Sequence, residues 1–134
     1  MTAVALVTGA SRGIGRAAAV ALAEAGFDVA VTARTMREGR GLVEADSVHG
    51  GEAVPVAGSL ETTAAEVEAR GRRALPLAMD FRDLASVEAV VATVVDRWGG
   101  VDVLVNNGLY RGPGTMDRLA DLRMDDLEVL MRGN

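Results

Sequence analysis

Three glycines lie where the first apolar run of the chain gives way to a helical pattern. The run AVALV at residues 3–7 is followed by TGASRGIG at residues 8–15, with the spacing Gly-x-x-x-Gly-x-Gly. A strand that turns through glycines into a helix presents that helix's free N–H groups and positive dipole end to an anion. The glycines let the chain turn, let a pyrophosphate approach and let the helix pack closely against the strand. This segment predicts a dinucleotide site, and the alternative is a tight turn without a ligand. The predicted contacts to the dinucleotide are Gly9, Ser11, Arg12, Gly13, Ile14 and Gly15.

Two arginines near this turn bear on which dinucleotide binds. Arg34 ends the second apolar run, no acid follows until Glu38, and Arg12 lies within the glycine segment. A carboxylate at this place binds a free ribose 2′-hydroxyl, whereas guanidinium groups bind a 2′-phosphate. The sequence therefore favours NADP (NADPH) over NAD, with Ser11 and Thr35 as further donors to the phosphate. The alternative is that Arg34 is a solvated charge at the end of a strand.

Strand and helix patterns alternate along the chain, as in a parallel sheet that is covered on both faces. The predicted strands are residues 3–8, 28–33, 74–79 and 101–105. The predicted helices are residues 13–25, residues 60–70 after a Ser59 cap, a helix that begins at Asp83 or Ser86 and ends at Gly99, and one that begins near Asp125. Right-handed crossovers then give an α/β fold, a Rossmann-like doubly wound parallel sheet with strand order 3-2-1-4 and helices on both faces. The predicted buried stripe of the third helix comprises Val87, Val90, Val91, Val94, Val95 and Trp98.

Residues 39–58 interrupt this alternation, because glycines and a proline punctuate them. We expect an inserted loop there, with a short extended piece at residues 53–57. His49 lies in this loop, and a solvated histidine is favoured over a functional one. We expect residues 1–134 to form a single NAD(P)-binding domain that is incomplete at its C-terminal end.

Composition and charge exclude several classes of function. The chain has 134 residues, 49% of them hydrophobic and 25% charged, which is ordinary for one soluble globular domain. A net charge of −5 favours neither nucleic acid nor an anionic membrane as a partner. There is no cysteine for a disulfide or a thiolate metal site, which fits a cytoplasmic protein. We expect no signal peptide, no membrane anchor and no metal. All 14 basic residues are arginine, so chemistry that needs a lysine is excluded for this chain alone.

These motifs resemble those of the classical branch of the short-chain dehydrogenase/reductase family. Residues 8–15 match its cofactor signature, and Asp80 matches its adenine-contacting acid. Asn106-Asn107-Gly108 match the start of its Asn-Asn-Ala-Gly segment after the fourth strand, although Leu109 departs from that pattern. Asn134 lies 134 − 107 = 27 residues beyond Asn107, where the family has its catalytic asparagine. The matches are spread over nearly the whole chain and correspond to the family's N-terminal, cofactor-binding portion.

The resemblance implies roles for these residues. Asp80 would accept a hydrogen bond from the adenine amino group, with a backbone group of Phe81 beside it, and the alternative is that Asp80 caps a helix. Asn107 and Gly108 would lie along the nicotinamide-side ribose. Asn134 would be catalytic, because the family's asparagine positions a water in a proton relay with a serine and a Tyr-x-x-x-Lys motif. The alternative for Asn134 is a polar residue at a frayed helix end.

The same resemblance implies an NADP-dependent oxidoreductase that passes hydride between the nicotinamide and a carbonyl or secondary alcohol. The serine, tyrosine and lysine of the relay are not matched, since Tyr110 is the only tyrosine and no lysine follows it. We therefore expect the chain to bind NADPH without turnover, with Tyr110 and Arg111 as contacts at the rim of the site. The alternative is a non-catalytic NADP(H)-binding module or one half of a split protein, and a flavin protein ranks last. An uncovered outer edge on the fourth strand predicts a homo-oligomer.

Overall fold

The computed structural model describes residues 1–43 and 52–134, and His49 lies outside this range. The strands are β1 (Val4–Thr8), β2 (Asp28–Ala33), β3 (Gly41–Val43), β4 (Val54–Val56), β5 (Ala74–Ala78) and β6 (Val103–Val105). The helices are α1 (Gly13–Glu24), α2 (Leu60–Glu68), α3 (Leu84–Trp98) and α4 (Met124–Arg132). The central sheet has four parallel strands in the order β5-β2-β1-β6, which is the predicted order 3-2-1-4 with β5 as the third predicted strand and β6 as the fourth. The α/β, Rossmann-like fold class is thereby confirmed.

Two apolar layers hold the helices against the sheet. On one face, Val7, Val29 and Val31 of the sheet are fully buried with Leu60 and Val67 of α2 and small residues of α1. On the other face, Leu6, Ala30 and Leu75 pack with Val90 and Val94 of α3. Because successive side chains of a strand point to opposite faces, these alternating apolar residues supply both layers.

Side-chain caps set the beginnings of two helices. The hydroxyl of Ser59 accepts a hydrogen bond from the main-chain N–H of Thr62 at 3.1 Å, so the predicted cap of α2 is confirmed. Asp83 rather than Ser86 caps α3, because its carboxylate accepts from the N–H of Ala85 at 3.1 Å.

The buried stripe of α3 is narrower than its sequence indicates. Val90 and Val94 are buried, whereas Val91 and Val95 are each 44% exposed. Neighbouring residues on a helix lie about 100° apart, so a stripe that includes consecutive valines is too wide for one flat contact. The prediction was wrong for Val91 and Val95.

Two short strands lie within residues 39–58, where no firm element was predicted. β3 and β4 pair antiparallel, with Gly41 opposite Val56, Leu42 opposite Pro55 and Val43 opposite Val54. We call this pair the β3–β4 ribbon. The predicted extended piece at residues 53–57 corresponds to β4. No helix in the described ranges is long and apolar enough to cross a membrane.

Candidate functional site

A cleft of about 380 Å³ opens where β1, β2, β5 and β6 end. The carboxyl ends of parallel strands meet at one edge of the sheet, which is where ligands bind in open α/β folds. The predicted cofactor residues that line this cleft are Gly9, Ser11, Arg12, Gly13, Ile14, Arg34, Asp80, Phe81, Asn107 and Gly108. Gly15 and Asn134 do not line it. The structure therefore brings together side chains that lie up to about a hundred positions apart in the sequence.

The three glycines of the turn have different surroundings. Gly9 and Gly13 have positive φ angles of 65° and 55°, which favour glycine. A Cβ on Gly9 would lie 2.7 Å from the Cα of Gly108, whereas a Cβ on Gly13 would meet nothing within 4 Å. A Cβ on Gly15 would collide with the carbonyl of Gly9 and the amide of Asn107. Gly13 therefore faces the open cleft, and Gly15 allows α1 to pack closely against the turn.

Hydrogen bonds join the ends of β1 and β6 beneath the cleft. The hydroxyl of Thr8 accepts from the main-chain N–H groups of Asn107 at 3.1 Å and Gly108 at 2.8 Å. The side-chain amide of Asn107 donates to the carbonyls of Thr8 at 3.1 Å and Gly9 at 3.3 Å. Asn107 thus holds the glycine turn in place with its side chain, and the adjoining Gly108 lies in the cleft wall.

Asp80 is held by its neighbour Arg82. Its carboxylate accepts from the main-chain N–H of Arg82 at 2.9 Å and from the guanidinium Nη2 at 2.7 Å. The side-chain hydrogen bond from Arg82 holds the pKa of Asp80 below its ordinary value, and the charge of Arg34 acts in the same direction. Asp80 is therefore an ionised acceptor at neutral pH. The side-chain cap of α3 is Asp83, so the capping alternative for Asp80 is wrong.

Tyr110, like Arg111, lines the cleft and is joined to Asn134, which does not line it. Tyr110 is 5% exposed, and the guanidinium of Arg82 lies 4.7 Å from the centre of its ring. The Asn134 amide brackets the Tyr110 main chain: its Oδ1 accepts from the N–H of Tyr110 at 3.0 Å, and its Nδ2 donates to the carbonyl at 3.1 Å. Nδ2 also donates to the carbonyl of Leu130 at 2.9 Å, so the side chain of Asn134 is fixed rather than frayed. Arg111, next to Tyr110, lines the cleft.

The basic and acidic groups around the turn are separated. Arg12 and Arg34 both line the cleft. The carboxylate of Glu38 does not, because it accepts from the N–H of Gly58 at 2.7 Å and from the hydroxyl of Thr62 at 3.3 Å. Glu38, the first acid after β2, is therefore hydrogen-bonded to residues that flank the start of α2 and does not face the cleft.

The structure adds four apolar residues to the wall, which are Ala33, Leu42, Met79 and Leu109. Met79 follows β5 and is 6% exposed, while Leu42 lies on β3 and is 52% exposed. One feature of the sequence could have singled out Leu42 as a wall residue, which is that it is the apolar residue in the glycine- and arginine-containing stretch GRGL at residues 39–42. No group of metal-ligating side chains occurs in the described ranges.

The glycine turn, the parallel sheet and the cleft at the carboxyl ends of its strands define a doubly wound α/β protein, a class in which nucleotides bind at this place. The sequence profile described as short chain dehydrogenase matches residues 3–61 and 51–134. The chain therefore belongs to the short-chain dehydrogenase family, a family of oxidoreductases.

Similar proteins agree with this assignment. Hydroxysteroid dehydrogenase-like protein 2 of Xenopus tropicalis is 41% identical over 102 residues, which are 75% of this chain and 21% of that protein. The 3-oxoacyl-(acyl-carrier protein) reductase from Brucella melitensis, in complex with NAD, is 30% identical with a TM-score of 0.73 over 99% of this chain and 43% of its own. The alcohol dehydrogenase of Thermococcus sibiricus, complexed with 5-hydroxy-NADP, is 31% identical with a TM-score of 0.72 over 99% of this chain and 47% of its own.

Two facts follow from these similarities. Relatives of this chain bind nicotinamide cofactors, with NAD in one structure and an NADP derivative in another. The chain spans about a fifth of the curated relative (21%) and under half of the two solved structures (43% and 47%).

Proposed function

We propose that this chain is the cofactor-binding part of an NADP-dependent oxidoreductase that acts on a carbonyl or secondary alcohol. The observation that carries the choice of NADP is that Arg12 and Arg34 line the cleft while Glu38 is bonded elsewhere. Guanidinium groups bind a 2′-phosphate with charge-assisted hydrogen bonds, whereas a carboxylate in this place would repel it.

The residues of the cleft fit an extended dinucleotide. The open side of Gly13 and the N-terminus of α1 suit the pyrophosphate. Ionised Asp80, with the Phe81 backbone beside it, suits the adenine amino group. The Asn107–Gly108 pair suits the nicotinamide-side ribose, with the Asn107 amide holding the turn and the Gly108 backbone facing the ligand.

The chemistry of the bound nicotinamide is hydride transfer. The protein's part is to bind and orient it through the groups named above. Asn134 is proposed to act on the reaction side of the cleft by fixing the main chain of Tyr110. We propose that the chain alone binds NADPH without turnover, in the cytoplasm, and that it forms homo-oligomers.

A titration with two nucleotides tests the choice of cofactor. NADPH and NADH are added to the 134-residue chain and to its Arg34→Ala variant, and binding is followed by nucleotide fluorescence. We expect the variant to lose about tenfold in NADPH affinity and little in NADH affinity, because a single charge-assisted contact to the 2′-phosphate is removed. Arg97→Ala, an exposed arginine of α3 outside the cleft, is the control. An equal loss for both nucleotides would contradict the assignment of Arg34.

A second candidate is a non-catalytic NADP(H)-binding module or one half of a split protein. These 134 residues contain no lysine for the family's proton relay, so both candidates predict that this chain binds NADPH without turnover. NADPH oxidation in the presence of simple ketones and aldehydes separates binding from catalysis. Clear turnover by this chain would refute both the module and the proposal that it is inactive alone.

A further inference from the structure

The β3–β4 ribbon lies beside the cleft. The residues that flank it, 35–38 and 58–62, form its base and are hydrogen-bonded to one another. The N–H of Leu60 donates to the carbonyl of Thr35 at 3.0 Å, and the N–H of Glu61 donates to that of Met36 at 3.1 Å. Glu38 adds its two bonds to Gly58 and Thr62, at 2.7 Å and 3.3 Å. Both ends of the ribbon are therefore fixed to the start of α2.

The same base lies against the glycine turn. A Cβ on Gly58 would come within 2.5 Å of the carbonyl of Ser11 and 2.8 Å of the Cβ of Arg12. The hydroxyl of Thr63 donates to the carbonyl of Ala10 at 2.8 Å. These contacts place the ribbon on the side of the turn where β2 ends, opposite the β6 side that carries Asn107 and Gly108.

The β2 side is the end of the cleft that Arg34, Thr35 and Asp80 line. Leu42 adds to this wall an apolar side chain that is half exposed. Within the ribbon its position is set by close pairing, because a Cβ on Gly41 would lie 2.5 Å from the carbonyl of Val56. A leucine held over a cleft loses its remaining contact with water when a flat apolar ring fills the space beneath it.

We propose that Leu42 is a contact for the adenosine half of the nucleotide and that Glu38 is the positioning residue that holds the ribbon over it. This inference rests on the proposed nucleotide site. It adds to that site a specificity element formed by β3 and β4.

The test uses three ligands, namely NADPH, adenosine 2′,5′-bisphosphate and reduced nicotinamide mononucleotide. We expect Leu42→Ala to weaken NADPH and the bisphosphate alike, by about fivefold for burial of roughly half a leucine side chain, and to leave the mononucleotide unchanged. Leu84→Ala, an exposed leucine of α3 outside the cleft, is the matched control, with 68% exposure against 52% for Leu42. Thermal unfolding of each variant checks that the fold is retained.

A double-mutant cycle tests Glu38. Glu38→Ala should weaken the bisphosphate in the wild-type background and have a much smaller effect in the Leu42→Ala background, because nothing is then left for the ribbon to position. Additive effects would assign Glu38 a merely structural role.

The outcomes separate the two proposals. A wild-type chain that binds none of the three ligands would overturn both the proposed function and this inference. A wild-type chain that binds, with Leu42→Ala equal to Leu84→Ala or with an equal loss for the mononucleotide, would overturn only the inference.

Discussion

Asp28 is a buried charge at the amino end of β2, whereas the cleft lies at the carboxyl ends of the strands. Its side chain is 2% exposed, and it accepts from Nη2 of Arg72 at 2.8 Å and Nε of Arg73 at 2.6 Å. Burial by itself would raise the pKa of Asp28, but the hydrogen bonds from Arg73 and the charges of both arginines outweigh it, so the pKa is lowered. The two arginines therefore pair with a buried carboxylate at the start of β2.

We expect Asp28→Asn to lower the free energy of unfolding by about 3 kcal/mol, because it leaves the partly buried Arg72 without its charged partner. Urea unfolding measures the change, and Glu88→Gln on the exposed side of α3 is the control. The folded-state pKa of Asp28 lies below its ordinary value of 3.8. The stabilisation is therefore present above that value and is lost as the pH falls through the folded-state pKa. A gap between wild type and variant that closes already at neutral pH would contradict this account.

At the scale of the elements, two glycines allow the backbone cost of a substitution to be distinguished from its effect on ligand binding. Gly13 and Gly26 both have positive φ angles, 55° and 96°, and a Cβ on either would meet nothing within 4 Å. Only Gly13 lines the cleft. The two positions therefore form a matched pair in which the backbone cost of an alanine is similar and the cost to a ligand is not.

We expect Gly13→Ala and Gly26→Ala to destabilise the fold by similar amounts, about 1 kcal/mol each, because alanine tolerates a positive φ poorly. NADPH affinity should fall more than tenfold only for Gly13→Ala, since its methyl group would occupy the place proposed for the pyrophosphate. Denaturant unfolding and nucleotide titration on the same samples measure both effects. Equal affinities for the two variants would argue against a phosphate at Gly13.

The sequence predicted the elements whose signals are local. The alternation of strand and helix patterns, joined by right-handed crossovers, predicted the strand order, and the capping chemistry of Ser59 predicted the start of α2. The extended piece that corresponds to β4 was predicted, whereas β3 and its pairing with β4 were missed, because each strand has only three residues and the pairing is not local in sequence. The contact between Arg82 and Tyr110 was missed as well, because residues that far apart in sequence carry no periodic signal of contact. The cleft could be predicted from its motifs, whereas Leu42 depended on where the ribbon folds.

At the scale of the whole molecule, β6 ends the described sheet with β1 as its neighbour in the strand order. Leu104 on β6 pairs in register with Leu6, yet it is 54% exposed while Leu6 is 5% exposed. An apolar strand at a sheet edge is a surface for pairing with another chain. This is the physical basis for the proposed homo-oligomer.

We expect the chain to self-associate as its concentration rises and Leu104→Arg to reduce that association. Sedimentation velocity over a range of concentrations measures it. Leu119→Arg makes the same change of charge at a leucine that is 88% exposed in a loop, and it should have little effect. A chain that stays monomeric throughout, or two variants that behave alike, would speak against β6 as the contact.

The contact between Gly58 and Ser11 has a consequence for exchange with solvent. The Gly58 amide proton is held by Glu38, and Gly58 lies close to the carbonyl of Ser11 in the glycine turn. We therefore expect exchange of this amide with deuterium to report motion of the residues beside the turn. A ligand that orders the turn should slow deuterium uptake at Gly58, and by linkage a change that loosens Gly58 should weaken the equilibrium affinity for that ligand.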